Sequence, residues 1–252
     1  METTLEIIAA RLEGFEETII SKLIDRAQFC ANCSVYQPGK SGFAAEDKRS
    51  LFDVRLWYQE EMDARFGRFC VPEERPFSPG LPNTMRDAQI QNDFLAKINF
   101  LEVTLCPAIK SSYLELVAAI CESGDDGHYG SSTEHDVYSL QAIARRIHFG
   151  ALYVGESKFR QDNSTYTELV QNNDAAGLLE KLTRKSVEDA IIERVHDKVA
   201  YLQGRINTQV RHLIDPAIVL QYYRDTIIPL TKEGEIMYLV RRVHFQQAER
   251  NL

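Results

Sequence analysis

Apolar residues recur at every third or fourth position along most of this chain, and no stretch of useful length alternates in the period-two manner of a strand. Leu5, Ile8, Leu12, Phe15, Ile19 and Leu23 place one stripe on a long first helix. The pattern predicts a second helix over 51–69, a third over about 86–122 kinked at Pro107, and a fourth over 134–172 carrying Val137, Leu140, Ile143, Ile147 and Val154. A shorter helix fits 174–183. Val187, Ile191, Val195, Leu202, Ile206, Val210 and Leu213 then trace another long stripe. Asp215 and Pro216 open a last helix as cap and first-turn proline, running to about 246 with a bend at Pro229. Gly39 and Gly42 mark a loop, residues 122–133 another, and the four prolines between 72 and 82 an extended, helix-free connection. The expected fold is all-α: one domain spanning 1–252, a multi-helix bundle whose long helices pair in a homodimer.

Charge narrows the function. The formal net charge of −8 argues against nucleic acid as partner, because phosphate binding needs a basic surface. It leaves room for a small anionic ligand held by a few buried cations. No run approaches the roughly 20 apolar residues that span a bilayer, so no membrane partner is expected. The first residues are acidic and periodic, unlike a secretory leader. Five cysteines, an odd number, suit reduced thiols in a cytoplasmic protein. Cys30 and Cys33 form a CxxC pair with no second pair downstream, so they read as structural thiols rather than zinc ligands. Asp125, Asp126 and His128 read as a solvated turn, and no metal is expected.

Three segments place charged groups on helices that also carry an apolar stripe: Ala144 to Phe159, Leu182 to Val195, and Ile227 to Arg242. From periodicity alone these charges are solvated faces. Their wording says more. Arg-Arg-Ile-His-Phe-Gly followed by Glu-Ser-Lys-Phe, Ile-Ile-Pro-Leu-Thr-Lys-Glu-Gly-Glu followed by Tyr-Leu-Val-Arg-Arg, and the early Glu-Glu-Thr-Ile-Ile with Leu-Ile-Asp-Arg-Ala-Gln-Phe resemble, in order, the helices of fungal and plant chorismate mutases. The likeness covers nearly the whole chain and is weakest over 70–110.

That resemblance implies a cofactor-free isomerase of aromatic amino acid biosynthesis, the shikimate pathway, performing the Claisen rearrangement of chorismate to prephenate. The enzyme must hold the enolpyruvyl arm over the ring and stabilise charge on the ether oxygen as the C–O bond breaks. By the same resemblance, Arg146 clamps a substrate carboxylate, Lys158 donates to the ether oxygen, and Glu235, if protonated, donates beside it. Glu188 accepts from the ring hydroxyl, and Thr231 helps hold a carboxylate. Thr231 and Glu235 are four apart and share a helix face, as do Arg184 and Glu188 on their own helix.

The chain departs from the family pattern in three places. Ala9 stands where the family's first helix carries a substrate-binding arginine, and Arg11 faces away, roughly 200° around. Arg184 stands where the family has asparagine; it either replaces the lost charge or pairs with Glu188 and fills the hydroxyl's place. Arg146 and Lys158 are 12 apart rather than 11, so on a regular helix their directions differ by about 120°. One extra residue is absorbed by a π-bulge, which predicts a π-bulge or kink between Phe149 and Ser157. Two rival readings follow from the departures: a diverged enzyme acting on another substrate by a pericyclic or elimination reaction, and a catalytically silent binding protein with Arg184 locked to Glu188. Gly130 and Ser131 match the loop that holds amino-acid effectors in some family members, and Arg68 matches one of a neighbouring arginine pair. Gly67 replaces the other arginine, and Glu134 stands where a small hydroxyl residue is expected, so an ordinary loop is the alternative.

Overall fold

The computed structural model describes residues 3–44, 48–87 and 92–250, and among them every regular element is helical. Helix α1 (Leu5–Arg26) starts at Thr4, whose hydroxyl accepts from the Ile7 amide, and buries Ile8, Ile19 and Leu23 of the predicted stripe. Helix α2 (Leu51–Arg65) opens on a capping box in which Ser50 and Asp53 satisfy each other's backbone amides. Residues 66–87 form the extended connection that the prolines require, apart from a 3₁₀ turn at Arg68–Cys70.

The predicted helix over 86–122 is corrected here. Residues 88–91 lie outside the described residues, and 92–105 are irregular apart from a 3₁₀ turn at Phe100–Glu102. Helix α3 (Cys106–Ile120) begins where the kink was expected. Pro107 occupies its first turn, where a missing N–H costs nothing. The Leu105 amide donates to His148 Nε2, and His148 Nδ1 faces the Ala144 carbonyl. Burial first, and then Arg75, hold this imidazole's pKa down to about 4, so it is neutral and serves as a structural clasp.

Helix α4 (Tyr129–Phe149) leads into a π-helical turn at Gly150–Val154, then α5 (Gly155–Gln161). Asp162 leaves helical geometry, and α6 (Asn163–Gln171) starts afresh with the Asp162 side chain accepting from the Thr165 amide. The predicted run over 134–172 is therefore three helices. Helix α7 (Ala175–Leu182) matches the short helix expected there.

Helix α8 (Lys185–Gln203) ends well before the stripe does. Val210 and Leu213 keep helical spacing but are exposed, and Val187 is half exposed. The Gln203 side chain closes the following loop by bonding both the N–H and the C=O of Ile214. Asp215 and Pro216 open α9 (Pro216–Tyr222) as expected. A second π-turn, Tyr223–Ile227, then precedes α10 (Ile228–Arg250). The bend expected at Pro229 is thus taken up one turn earlier, where the proline's missing N–H disrupts regular pairing.

Helices α1 and α4 pack along each other, and α10 lies across the π-turn between α4 and α5. The main core gathers Ile19, Leu23, Phe52, Tyr113, Leu140, Ile147, Val195 and Tyr223. Two smaller clusters flank it, one around Phe149, Leu152 and Tyr238, the other around Phe159, Leu178 and Leu239. Arg26, fully buried, ties the end of α1 to Asp136 on α4 and to the backbone carbonyls of Cys30 and Ala31. Such a pair is sustained only because each remaining donor and acceptor is met, here also by Tyr36 and Tyr113. Among the described residues no helix is long and apolar enough to cross a membrane.

Candidate active site

One cavity of about 340 Å³ collects side chains from every helix that carries a matched segment. Helix α1 contributes an apolar wall of Leu5, Ile8, Ala9 and Leu12. Arg146 comes from the end of α4, Lys158 and Gln161 from α5, Arg184 and Glu188 from the start of α8, and Thr231, Lys232 and Glu235 from α10. All six residues expected to bind or transform substrate therefore line the same space.

The floor is charged and dry. Arg146 is 3% exposed, Glu235 4% and Thr231 8%. Arg146 Nη1 donates to Thr231 Oγ1 at 2.7 Å, and Thr231 in turn donates to the Ile227 carbonyl at 2.6 Å. Among the described residues the buried Arg146 Nε has no hydrogen-bond partner. Its neighbour Arg145 points the other way, over the Phe15 ring and toward Glu73 and Glu74.

Lys158 Nζ donates to Glu235 Oε2 at 2.8 Å and to the Leu182 carbonyl at 3.1 Å. Burial pushes the Glu235 carboxyl above the usual carboxylate range, and Lys158 opposes that rise without cancelling it. Burial also lowers the Arg146 guanidinium from its ordinary value. Glu188 accepts from Lys232 Nζ at 3.0 Å. It is not locked to Arg184, which precedes the first turn of α8 in an extended conformation, off the helical face. The filled cavity expected of a silent protein is not what the chain forms.

The π-turn lies where the 12-residue spacing called for it. Its first residue, Gly150, faces α10 so closely that an added Cβ would sit 2.7 Å from Thr231 Cγ2 and 3.9 Å from Arg146 Nη1. The π-turn thus re-aims Lys158, and the missing side chain of Gly150 makes room for the Arg146–Thr231 contact.

Two polar cavity residues escaped the sequence reading. Lys232 directly follows Thr231 within the matched segment and is three residues before Glu235, so helical geometry alone would have placed it on the same side. Gln161 ends α5 with no signal in its surroundings. The candidate effector residues lie elsewhere. Gly130 and Ser131 sit in the exposed first turn of α4. Arg68 is engaged by Asp63 at 2.9 Å, Glu74 at 3.0 Å and Gln141 at 2.6 Å. Gln141 is ten residues along α4 from Ser131, a rise of about 15 Å, so one chain does not bring these residues together. The turn at 125–128 uses its carboxylates internally, with Asp126 accepting from the Cys30 amide and the Asn32 side chain.

No protein-family model matches the chain. Individual proteins do. Chorismate mutase of Saccharomyces cerevisiae is 34% identical over 96% of this chain and 97% of its own length. The chloroplastic chorismate mutase 1 of Petunia hybrida is 33% identical, covering 95% of this chain and 76% of that one. Among solved structures, the chorismate mutase of Candida albicans in complex with L-Trp superposes with a TM-score of 0.89 at 31% identity, over 98% of this chain and 95% of that chain. The chloroplast chorismate mutase of Zea mays gives 0.86 at 32% identity, over 96% of each.

Proposed function

This chain belongs to the chorismate mutase family, and from that premise we propose that its cavity converts chorismate to prephenate with Arg146, Lys158, Glu188, Thr231 and Glu235 as the working residues. The observation that carries the assignment of roles is the Lys158–Glu235 pair at 2.8 Å beside the Arg146–Thr231 pair, within one cavity lined by apolar side chains.

The rearrangement is intramolecular. The ether C–O bond breaks, a C–C bond forms within the same molecule, and no proton, electron or fragment leaves. The protein has only to hold a reactive conformer and meet charge where it grows. Arg146 holds one carboxylate at the floor, its guanidinium positioned by Thr231. Lys158 and a protonated Glu235 point two donors at the ether oxygen. Lys232 fixes Glu188, which accepts from the ring hydroxyl. Leu5, Ile8, Leu12 and Ile191 keep water from the bond being made, which strengthens each polar contact. The chemistry asks for no metal or cofactor.

The chain works as one domain and as a homodimer in the cytoplasm. A row of exposed apolar side chains on α2 supports the dimer. Gly130 and Ser131 serve as an ordinary helix start, which Arg68's engagement with Asp63 and Glu74 supports.

The decisive experiment follows the ultraviolet absorbance of chorismate. We expect turnover on the order of 10 per second, as for enzymes generally. Lys158→Ala should lower kcat by about 10²-fold or more, the effect of removing one transition-state donor. Absence of turnover above background in the wild type sinks the assignment.

A further inference from the structure

The geometry points to Arg184 as the anchor for the substrate's second carboxylate, replacing at the rim of the cavity the cation that Ala9 does not supply. This inference rests on the reading of the cavity as a chorismate site.

A dianion needs two cationic grips. Helix α1 offers none, for its residues on the cavity are Leu5, Ile8, Ala9 and Leu12, and Arg11 lies over the Phe149 ring at 6.0 Å. Four cations line the cavity: Arg146, Lys158, Arg184 and Lys232. Three are already tied, to Thr231, Glu235 and Glu188 respectively. The Arg184 side chain makes no hydrogen bond or ion pair among the described residues, while its carbonyl accepts from the Val187 and Glu188 amides. Arg146 is buried at the floor, whereas Ala9 and Arg184 are both exposed and both line the cavity, which places them at its rim. With Glu235 protonated, Glu188 alone opposes these four cations, so the cavity is net cationic and suits an anionic ligand. The charge has moved from the first helix to the start of α8.

The backbone supports that placement. Arg184 sits in an extended conformation between α7 and α8, and the residues before it are held by both lysines: Lys158 bonds the Leu182 carbonyl at 3.1 Å and Lys232 the Thr183 hydroxyl at 3.4 Å. Local helix physics disfavours an arginine here. It occupies the N-cap of α8 without a capping bond, and its charge opposes the helix dipole. Among the described residues no side chain pairs with the Arg184 guanidinium to offset that arrangement, whereas an anionic ligand at the rim would.

The test separates binding from folding. Arg184→Asn should raise the melting temperature, since asparagine caps, while kcat/KM for chorismate falls about tenfold or more, mainly through KM. Arg184→Lys should recover part of the loss. Ala9→Arg in the Arg184→Asn background should recover most of it, and should gain far less in the wild type. Calorimetric titration with prephenate should show the same order of affinities independently of turnover. A wild type that neither turns over chorismate nor binds prephenate overturns the chorismate reading and this one with it. An active wild type with Arg184→Asn unchanged in kcat/KM, or Ala9→Arg acting equally in both backgrounds, overturns the role of Arg184 alone.

Discussion

At the scale of the residue, the site is governed by which state of Glu235 burial favours. Glu235 is 4% exposed, and its carboxyl is raised above the ordinary range by that burial, against the pull of Lys158. Raised means that the protonated form persists to higher pH. If Glu235 donates to the ether oxygen, kcat/KM is full below its folded pKa and falls as pH rises through it. Glu235→Gln donates at every pH, so the alkaline limb of the pH–rate profile should flatten. The same shift has a stability sign. Glu235's contribution is fully present below the unfolded value, about 4.3, and is lost as pH rises through the folded one, so Glu235→Gln should melt higher than wild type on the alkaline side. An unaltered limb in the variant would assign the titration to another group. The identities of these residues were legible because each stands inside a matched segment. Their protonation was not, since it depends on how many neighbours exclude water, which adjacency in the chain does not encode.

At the scale of the element, the informative feature is one extra residue between Arg146 and Lys158. Spacing alone required the helix to lose register by about 120°, and the π-turn at Gly150–Val154 supplies that rotation. Gly150→Ala tests how closely that turn is fitted to α10. Alanine is the better helix former by about 1 kcal/mol, yet its methyl would meet Thr231 Cγ2 at 2.7 Å. Overpacking of that kind costs about 1–3 kcal/mol, so the net change in stability should be small or destabilising. The displaced Thr231 should release Arg146, and kcat/KM should drop about tenfold, mostly through KM. A variant with wild-type kinetics would show that Thr231 has room to yield and that the contact is dispensable. Elements were less legible where periodicity outlasts the helix. Val210 and Leu213 keep the spacing of α8 beyond Gln203, and Pro107 reads as a kink within a helix when it is the beginning of one. Both errors have one cause: spacing records which face a residue would take, whereas a helix ends where its terminal amides and carbonyls find other partners, as the Gln203 side chain shows by bonding Ile214.

At the scale of the whole molecule, the remaining question is what covers α2. Tyr58, Met62 and Phe66 follow one another at four-residue intervals and are 51%, 48% and 67% exposed. They form one apolar row along α2 and its C-terminal cap, about 100° around from the buried Phe52 and Leu56. Met85, 76% exposed, lies beside the row, with its amide bonded to the Arg65 carbonyl. A contiguous apolar row of this kind marks an interaction surface, and a second copy meeting it about a two-fold axis buries the same row twice. The net charge of −8 opposes that association through long-range repulsion, so burial must supply the drive and salt should strengthen it. Sedimentation equilibrium should therefore give a dimer at micromolar concentration, tightening between 20 and 200 mM salt, roughly a threefold change in Debye length. Met62→Glu places a charge at the middle of the row and should yield monomer. Its helix should lose little, because Met62 is exposed within the chain and glutamate is a good helix former. A wild-type monomer under these conditions, or a Met62→Glu protein that remains dimeric, would remove α2 from the interface and leave its apolar row to some other partner.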